Sequence, residues 1–193
     1  MERKTRSVIN WHYRMRALTE GAILIALAEI LSFLPFYKFP WGGSVDLAMA
    51  PILLFAVRWG VKWGLVEGLA FGTLQMIFEG GVAIGWQSIL GDFLVAFTAL
   101  GLAGICRGME KGIFAGTLVG GLARFLVHYV VGATIWAEYM PEEFFGMTMT
   151  TPWVYSALYN GAYMVPDAIM VLIAGILLMK TPAKRYVLGQ DLK

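Results

Sequence analysis

Six runs of apolar residues, separated by short stretches containing glycine, proline or charged residues, account for most of the sequence. The runs cover residues 17–34, 46–59, 62–78, 87–106, 112–137 and 153–179. Runs of about 20 apolar residues are typical of helices that cross a lipid bilayer. The pattern therefore predicts an all-α fold, an integral membrane bundle of six transmembrane helices. The second run is the shortest and predicts a broken or tilted helix.

Lysine and arginine are unevenly distributed between the two sides of this predicted bundle. Of the 15 basic residues, Lys38 alone falls in a connection on one side and Arg124 lies inside the fifth run. The other 13 lie on the side that also holds both termini. Because cytoplasmic connections carry an excess of lysine and arginine, we expect both termini to be cytoplasmic.

The composition narrows the class of protein further. Hydrophobic residues make up 59% of the chain and charged residues only 15%, which is unlike a soluble domain. The net charge of +2 gives no reason to expect a nucleic acid as partner. The single cysteine, Cys106, excludes an internal disulfide. The predicted organisation is one membrane domain, 1–193, with a cytoplasmic N-terminal segment 1–16, a bundle 17–179 and a cytoplasmic tail 180–193.

A stripe of polar and ring-bearing side chains marks the fifth run. His128, Gly132 and Trp136 are four residues apart, so on a helix they share one face. An imidazole, a gap and an indole in this order suit a flat polar ligand, including a cation. The same spacing also fits a helix-packing face with an interfacial tryptophan, and the stripe alone leaves both interpretations open.

Further polar residues fall at the depth of this stripe. Asp92, Tyr155 and Asn160 lie within the first two turns of the fourth and sixth runs, and Trp41 lies in the first outer connection. An aromatic belt at the membrane surface explains Trp41 but leaves the polar groups unexplained. We therefore predict a site near the outer surface that captures a molecule from the medium.

Two other features of the runs have structural interpretations. Arg124 and Asp167 each lie about halfway along a run, which predicts a buried structural ion pair between them. Ala22 and Ala26 lie four residues apart and leave a groove that another helix can approach closely. Such a groove serves either a partner chain or packing within the same bundle.

Several motifs together resemble the thiamine-specific S-component family of energy-coupling factor transporters. They are Gly42-Gly43-Ser44-Val45, Pro51-Ile52-Leu53, Arg58-Trp59-Gly60 with Lys62 and Gly64, and the spaced set Phe97, Leu100, Gly101, Ala103 and Gly104. His128, Gly132, Trp136, Tyr155 and Asn160 match the family's binding positions at the same intervals. The resemblance extends over almost the whole chain.

The resemblance implies a binding protein without catalytic activity, in the plasma membrane of a prokaryote, that takes up thiamine. The implied ligand site comprises Trp41, Asp92, Phe93, His128, Gly132, Trp136, Tyr155 and Asn160, where Gly132 leaves room for a ring against the helix. Ala22 and Ala26 match the motif that docks on a transmembrane coupling subunit carrying two ATPases. Neither a metal nor a cofactor is implied.

Two departures from the family pattern bear on the ligand. Asp92-Phe93 stands where the pattern has Glu-Tyr, and Asp46 stands where a small or hydroxyl-bearing residue is expected. These changes favour lower affinity or a shift towards a thiamine precursor or analogue. The alternatives to a thiamine S-component are one for another vitamin or a self-powered, proton-coupled carrier.

Overall fold

The fold is mostly helical. The computed structural model describes residues 2–39, 43–80 and 83–192, with side chains from residue 11 onward. The described residues form seven helices: α1 (Glu2–Ser32), α2 (Met49–Trp59), α3 (Val61–Glu79), α4 (Trp86–Cys106), α5 (Gly112–Thr134), α6 (Pro152–Met179) and α7 (Lys184–Val187). Each of the first six overlaps one of the six apolar runs, so the helical class predicted from the sequence is confirmed.

The helices differ in their ability to cross a bilayer. Among the described residues, α4, α5 and α6 are long and apolar enough to do so. Helix α2 has 11 residues, about 16 Å at 1.5 Å per residue, which is roughly half the thickness of the hydrocarbon core. The predicted count of six transmembrane helices is therefore not confirmed, and the location of the termini stays a prediction.

Two short antiparallel hairpins interrupt the helical architecture. Strands β1 (Tyr37–Lys38) and β2 (Ser44–Val45) pair in the connection between α1 and α2. Strands β3 (Glu143–Phe144) and β4 (Met147–Thr148) pair in the connection between α5 and α6. The sequence analysis did not predict them, because two-residue strands are too short to produce an alternating pattern.

Helix α4 changes its winding along its length. It is π-helical over Ile89–Val95, α-helical over Ala96–Ala99 and 3-10 helical over Leu100–Cys106. Gly68 and Gly72 of α3 lie against the carbonyl groups of Phe97 and Phe93, where a Cβ atom would collide. This close approach holds the π-helical segment, a geometry common at functional sites, in a fixed position.

The hydrophobic core surrounds the short helix α2. Ile52 and Leu53 of α2, Phe71 of α3 and Leu100 of α4 are fully buried in one cluster. Between helices in a bilayer, such packing is stabilised by close van der Waals contact. Although α2 is too short to span a bilayer, it is therefore the centre around which α3 and α4 pack.

The C-terminal segment folds back onto α1 and α2 at one end of the bundle. The buried Arg58 side chain donates hydrogen bonds to Glu20 and Asp191, and its guanidinium lies 3.7 Å from the centre of the Tyr186 ring. Arg16 also pairs with Asp191. We call these five residues the C-terminal clasp. It joins two predicted segments, 1–16 and 180–193, that the sequence analysis treated as independent.

Candidate functional site

A cavity of about 130 Å³ lies at the other end of the bundle, lined by α1, α3, α4, α5, α6 and the connection that contains β1 and β2. Seven of the eight predicted ligand-binding residues line it: Asp92, Phe93, His128, Gly132, Trp136, Tyr155 and Asn160. The eighth, Trp41, lies outside the described residues. The structure thus brings the predicted residues together, while their role in binding stays a prediction.

Asp92 connects two of these side chains. Its Oδ1 atom lies 2.9 Å from Nδ1 of His128, and its Oδ2 atom accepts a hydrogen bond of 2.8 Å from Nε1 of Trp136. Both carboxylate oxygens are therefore engaged. A half-buried indole that donates its N–H to a carboxylate has a fixed ring orientation, so Asp92 sets the face that Trp136 presents.

Trp136 lies just beyond α5, which ends at Thr134 and not at residue 137 as predicted. Its backbone N–H still donates to the carbonyl of Val131, at 3.2 Å. This bond keeps Trp136 close to the helix face that carries His128. The side-chain order expected from the helical spacing is preserved although the last turn is not regular.

His128 is held from both sides of its ring. Nε of Arg124 lies 3.3 Å from Nε2 of His128 and can only donate a hydrogen bond. Nε2 must therefore accept, which places the proton on Nδ1 and directs it at Asp92. The hydrogen-bond pattern assigns a neutral imidazole between a guanidinium and a carboxylate.

The predicted direct ion pair between Arg124 and Asp167 is not among the pairs within 4 Å that the described side chains form. The Arg124 guanidinium instead lies 4.5 Å from the centre of the Phe97 ring. Oδ1 of Asp167 accepts the backbone N–H of Asp46 at 2.9 Å. The prediction was wrong because equal depth along two helices does not determine where their side chains point. Asp167 instead links α6 to the connection between β2 and α2.

Gly132 allows α5 to pack closely against α6, and it leaves little space for a ligand. A Cβ atom on Gly132 would collide with Oγ of Ser156 and would lie 3.3 Å from Nδ2 of Asn160. The room predicted above this glycine is thus largely filled by α6. The glycine lets α5 and α6 approach closely where both border the cavity.

Asn160 is engaged within the protein. Its Nδ2 group donates to the carbonyls of Ser156 at 2.9 Å and of His128 at 3.3 Å. Its Oδ1 atom accepts from the Tyr163 hydroxyl at 2.6 Å. In this arrangement Asn160 ties α6 to α5 and positions the His128 segment.

Tyrosine rings form one wall of the cavity. Tyr155, Tyr159 and Tyr163 are four residues apart and share a face of α6. Phe39, next to β1, and Phe144 of β3 both pack against the Tyr159 ring, at 5.7 and 6.0 Å between ring centres. Only Tyr155 was predicted from the sequence to bind the ligand, although the spacing of four residues indicates that all three tyrosines share one helix face.

The wall formed by α1 and α3 carries an amide that the sequence analysis missed. Gln75 of α3 lines the cavity together with Ser32 of α1. Nε2 of Gln75 donates to Oε2 of Glu29 and to Oγ of Ser32, both at 3.0 Å. The only available signal was a single amide near the end of an apolar run.

The site combines ring faces, an ordered carboxylate and directional hydrogen-bonding groups. Such surroundings suit a small, flat, polar molecule. Fold and site together define the class: an α-helical, multi-pass membrane protein with an internal binding cavity at one end.

The chain belongs to the family described as thiamine transporter protein (Thia_YuaJ), whose family model matches residues 18–187. The resemblance found in the sequence motifs is thereby confirmed. The similar proteins described next are bacterial, which agrees with a multi-pass membrane protein of a prokaryote.

Two curated relatives are similar over nearly their whole length. Thiamine transporter ThiT of Bacillus subtilis is 32% identical over 188 residues, covering 90% of this chain and 95% of that protein. Thiamine transporter ThiT of Lacticaseibacillus paracasei is 28% identical over 191 residues, covering 89% and 90%. A solved structure of ThiT from Listeria monocytogenes has a TM-score of 0.77 at 24% identity, covering 89% of this chain and 97% of that one. This last likeness supports the fold.

Proposed function

We propose that this protein is the substrate-binding S-component of an energy-coupling factor transporter and captures thiamine from the extracellular side. The observation that carries the proposal is the cavity in which Asp92, Trp136 and the tyrosine wall converge. Membership of the thiamine transporter family supports thiamine as the ligand. The names of the two curated relatives point to the same ligand.

The chemistry of the cavity fits thiamine, which joins an aminopyrimidine ring to a cationic thiazolium ring. Trp136 and Tyr155 offer faces on which either ring can stack, with a cation–π gain of roughly 0.5–2 kcal/mol. The Asp92 carboxylate supplies negative charge near the bound cation. The Tyr155 hydroxyl makes no hydrogen bond to any described residue and is available to the ligand.

The proposed arrangement in the membrane is a single domain of six crossings with both termini in the cytoplasm. Helices α1, α2 and α6 each run from the C-terminal clasp to the cavity, so these two features lie at opposite ends. The basic residues favour the clasp end as the cytoplasmic end. The cavity then opens towards the extracellular side, beneath the two hairpins.

Energy for uptake is proposed to come from a transmembrane coupling subunit with two ATPases. Ala22 and Ala26 are exposed on α1, whereas Ala17 and Ala28 on the opposite side are fully buried. Small exposed residues four apart allow a second helix to approach closely. This face of α1 supports docking of the coupling subunit.

Isothermal titration of the purified chain with thiamine tests the proposed ligand. We expect the wild-type chain to bind and Trp136→Ala to bind at least about tenfold more weakly, because it loses the stacking face. Trp86→Ala is the matched control, since Trp86 is 67% exposed and does not line the cavity.

Competition binding distinguishes thiamine from other candidate ligands. Riboflavin and biotin should not displace thiamine, and the isolated aminopyrimidine half should displace it only at much higher concentration. Tighter binding of that half than of thiamine would change the assigned substrate to a precursor. Absence of thiamine binding by the folded wild-type chain would contradict the proposal.

A further inference from the structure

Gln75 presents to the cavity a polar atom that has no hydrogen-bond partner among the described residues. The residue is only 5% exposed, yet it lines the cavity. Within the described part of the chain, its carbonyl oxygen Oε1 accepts no hydrogen bond. It is also absent from the described side-chain atoms that are buried without a partner, so Oε1 remains accessible.

The orientation of the Gln75 amide is fixed by its neighbours. Oγ of Ser32 donates its only hydrogen to the backbone carbonyl of Glu29, at 2.8 Å, so it can only accept from Gln75. This contact requires the NH₂ side of the amide, which also donates to Oε2 of Glu29. A flipped amide would place its oxygen against an acceptor. The carbonyl must point the other way, into the cavity.

We propose that Gln75 is a ligand-binding residue whose Oε1 atom accepts a hydrogen bond from a donor group of the bound vitamin. Glu29 and Ser32 are positioning residues that hold the amide from behind. The inference rests on the proposed function, because it takes thiamine as the occupant of the cavity.

Thiamine carries two groups that can donate such a bond: the exocyclic amino group of the pyrimidine and the hydroxyl of its side chain. A neutral acceptor held at the α1–α3 wall complements the opposite wall, where Arg124 donates to His128 and both Asp92 oxygens are already engaged. A buried acceptor left unpaired costs more than the hydrogen bond gains. Gln75 therefore discriminates against ligands that lack a donor at this position.

Titration of Gln75→Met with thiamine tests the proposal. Methionine has a similar length and flexibility but accepts hydrogen bonds poorly, so we expect about tenfold weaker binding. Gln87→Met is the matched control because it makes the same change at an exposed glutamine that does not line the cavity. Should Gln75→Met not fold, Gln75→Asn keeps an amide but withdraws it by one methylene and should also weaken binding.

Two analogues identify the donor. Oxythiamine replaces the exocyclic amino group by a carbonyl, and a deoxy analogue lacks the hydroxyl. If the amino group donates, Gln75→Met should bind oxythiamine no more weakly than wild type does, while its loss for the deoxy analogue persists. If the hydroxyl donates, Gln75→Met should bind the deoxy analogue no more weakly than wild type does, while its loss for oxythiamine persists.

The outcomes separate this inference from the proposed function. Wild-type binding of thiamine that Gln75→Met leaves unchanged would overturn the role of Gln75 alone. Equal losses of affinity in Gln75→Met for thiamine and for both analogues would also overturn it. The amide would then accept a hydrogen bond from neither donor group. Failure of the wild-type chain to bind thiamine would overturn the proposed function and this inference with it.

Discussion

Buried polar atoms in this protein are satisfied by one another, with few exceptions. Among the described side chains, the buried atoms without a hydrogen-bond partner belong to Glu29 and Glu67. Glu29 keeps one bond, to Gln75, whereas neither oxygen of Glu67 has a partner. Glu67 is 3% exposed in the middle of α3. An ionised carboxylate in such surroundings is costly, which favours an uncharged side chain there.

The substitution Glu67→Gln should therefore leave the thermal unfolding temperature unchanged or raise it. The amide has nearly the same shape and carries no charge to bury. Thermal unfolding of the purified chain in detergent measures the effect. Glu20→Gln makes the same change at a carboxylate bound to the buried Arg58, and it should lower the unfolding temperature by several degrees. A larger loss for Glu67→Gln than for Glu20→Gln would show that Glu67 acts as a charged group.

At the residue scale, the sequence identified groups that interrupt an apolar run at helical spacing. His128 and Trp136 were found in this way and Asp92 by its depth in the predicted bundle, and the three form one connected cluster. The role of Gly132 and the contribution of Gln75 were not found. Spacing along one helix says which residues share a face, but the neighbouring helix decides what that face meets.

At the scale of elements, the parts that the sequence did not predict are the irregular ones. The π-helical segment of α4 and the two hairpins have no periodic signature. The π-helical segment and the β1–β2 hairpin nevertheless border the cavity, and Phe144 of β3 packs against the tyrosine wall. Gly43, just before β2, lies so close to the Tyr163 ring that a Cβ atom would be 2.6 Å from it. This contact places the residue that precedes β2 directly on the tyrosine wall.

The C-terminal clasp is an element whose stability depends on pH. Hydrogen bonds from Arg58, and then from Arg16, hold the pKa of the Asp191 carboxyl below its usual value. A lowered folded-state pKa contributes stability that is complete above the unfolded value of about 4 and is lost as the pH falls through the folded value. Wild-type residues 184–192 should therefore stay protected from hydrogen exchange between pH 8 and pH 5, after correction for the intrinsic rate. Asp191→Asn should reduce their protection throughout this range.

The control for the clasp is a nearby pair that is exposed to solvent. Lys184 and Glu110 lie 3.9 Å apart, and the Glu110 side chain is 81% exposed. Exposed pairs contribute little, so Glu110→Gln should not change protection of the tail. Protection that is equal in Asp191→Asn and wild type would show that packing of Leu192 against the apolar cluster of Ala17, Leu24, Phe55 and Trp59 is sufficient to hold the segment.

At the scale of the whole molecule, the basic residues and the cavity define two different ends. The orientation could be predicted from the charge distribution alone, because the charge bias reflects how the chain inserts into the membrane and not how its helices pack. It could not establish how many helices cross the bilayer, since α1 carries a charged N-terminal half and α2 is short. The structure adds that the clasp and the cavity are joined by α1, α2 and α6.

Separation of the two ends predicts that binding and uptake can be uncoupled. Ala22 lies on the exposed face of α1, does not line the cavity and makes no part of the clasp. Ala22→Trp should abolish ATP-driven thiamine uptake into vesicles that contain the coupling subunit and both ATPases, because the indole fills the groove that close helix approach needs. Titration of the same variant with thiamine should give the wild-type affinity. Ala70→Trp, at an exposed alanine of α3, should leave both properties unchanged. Parallel loss of binding and uptake in Ala22→Trp, or uptake at the wild-type rate, would show that this face of α1 is not the docking surface.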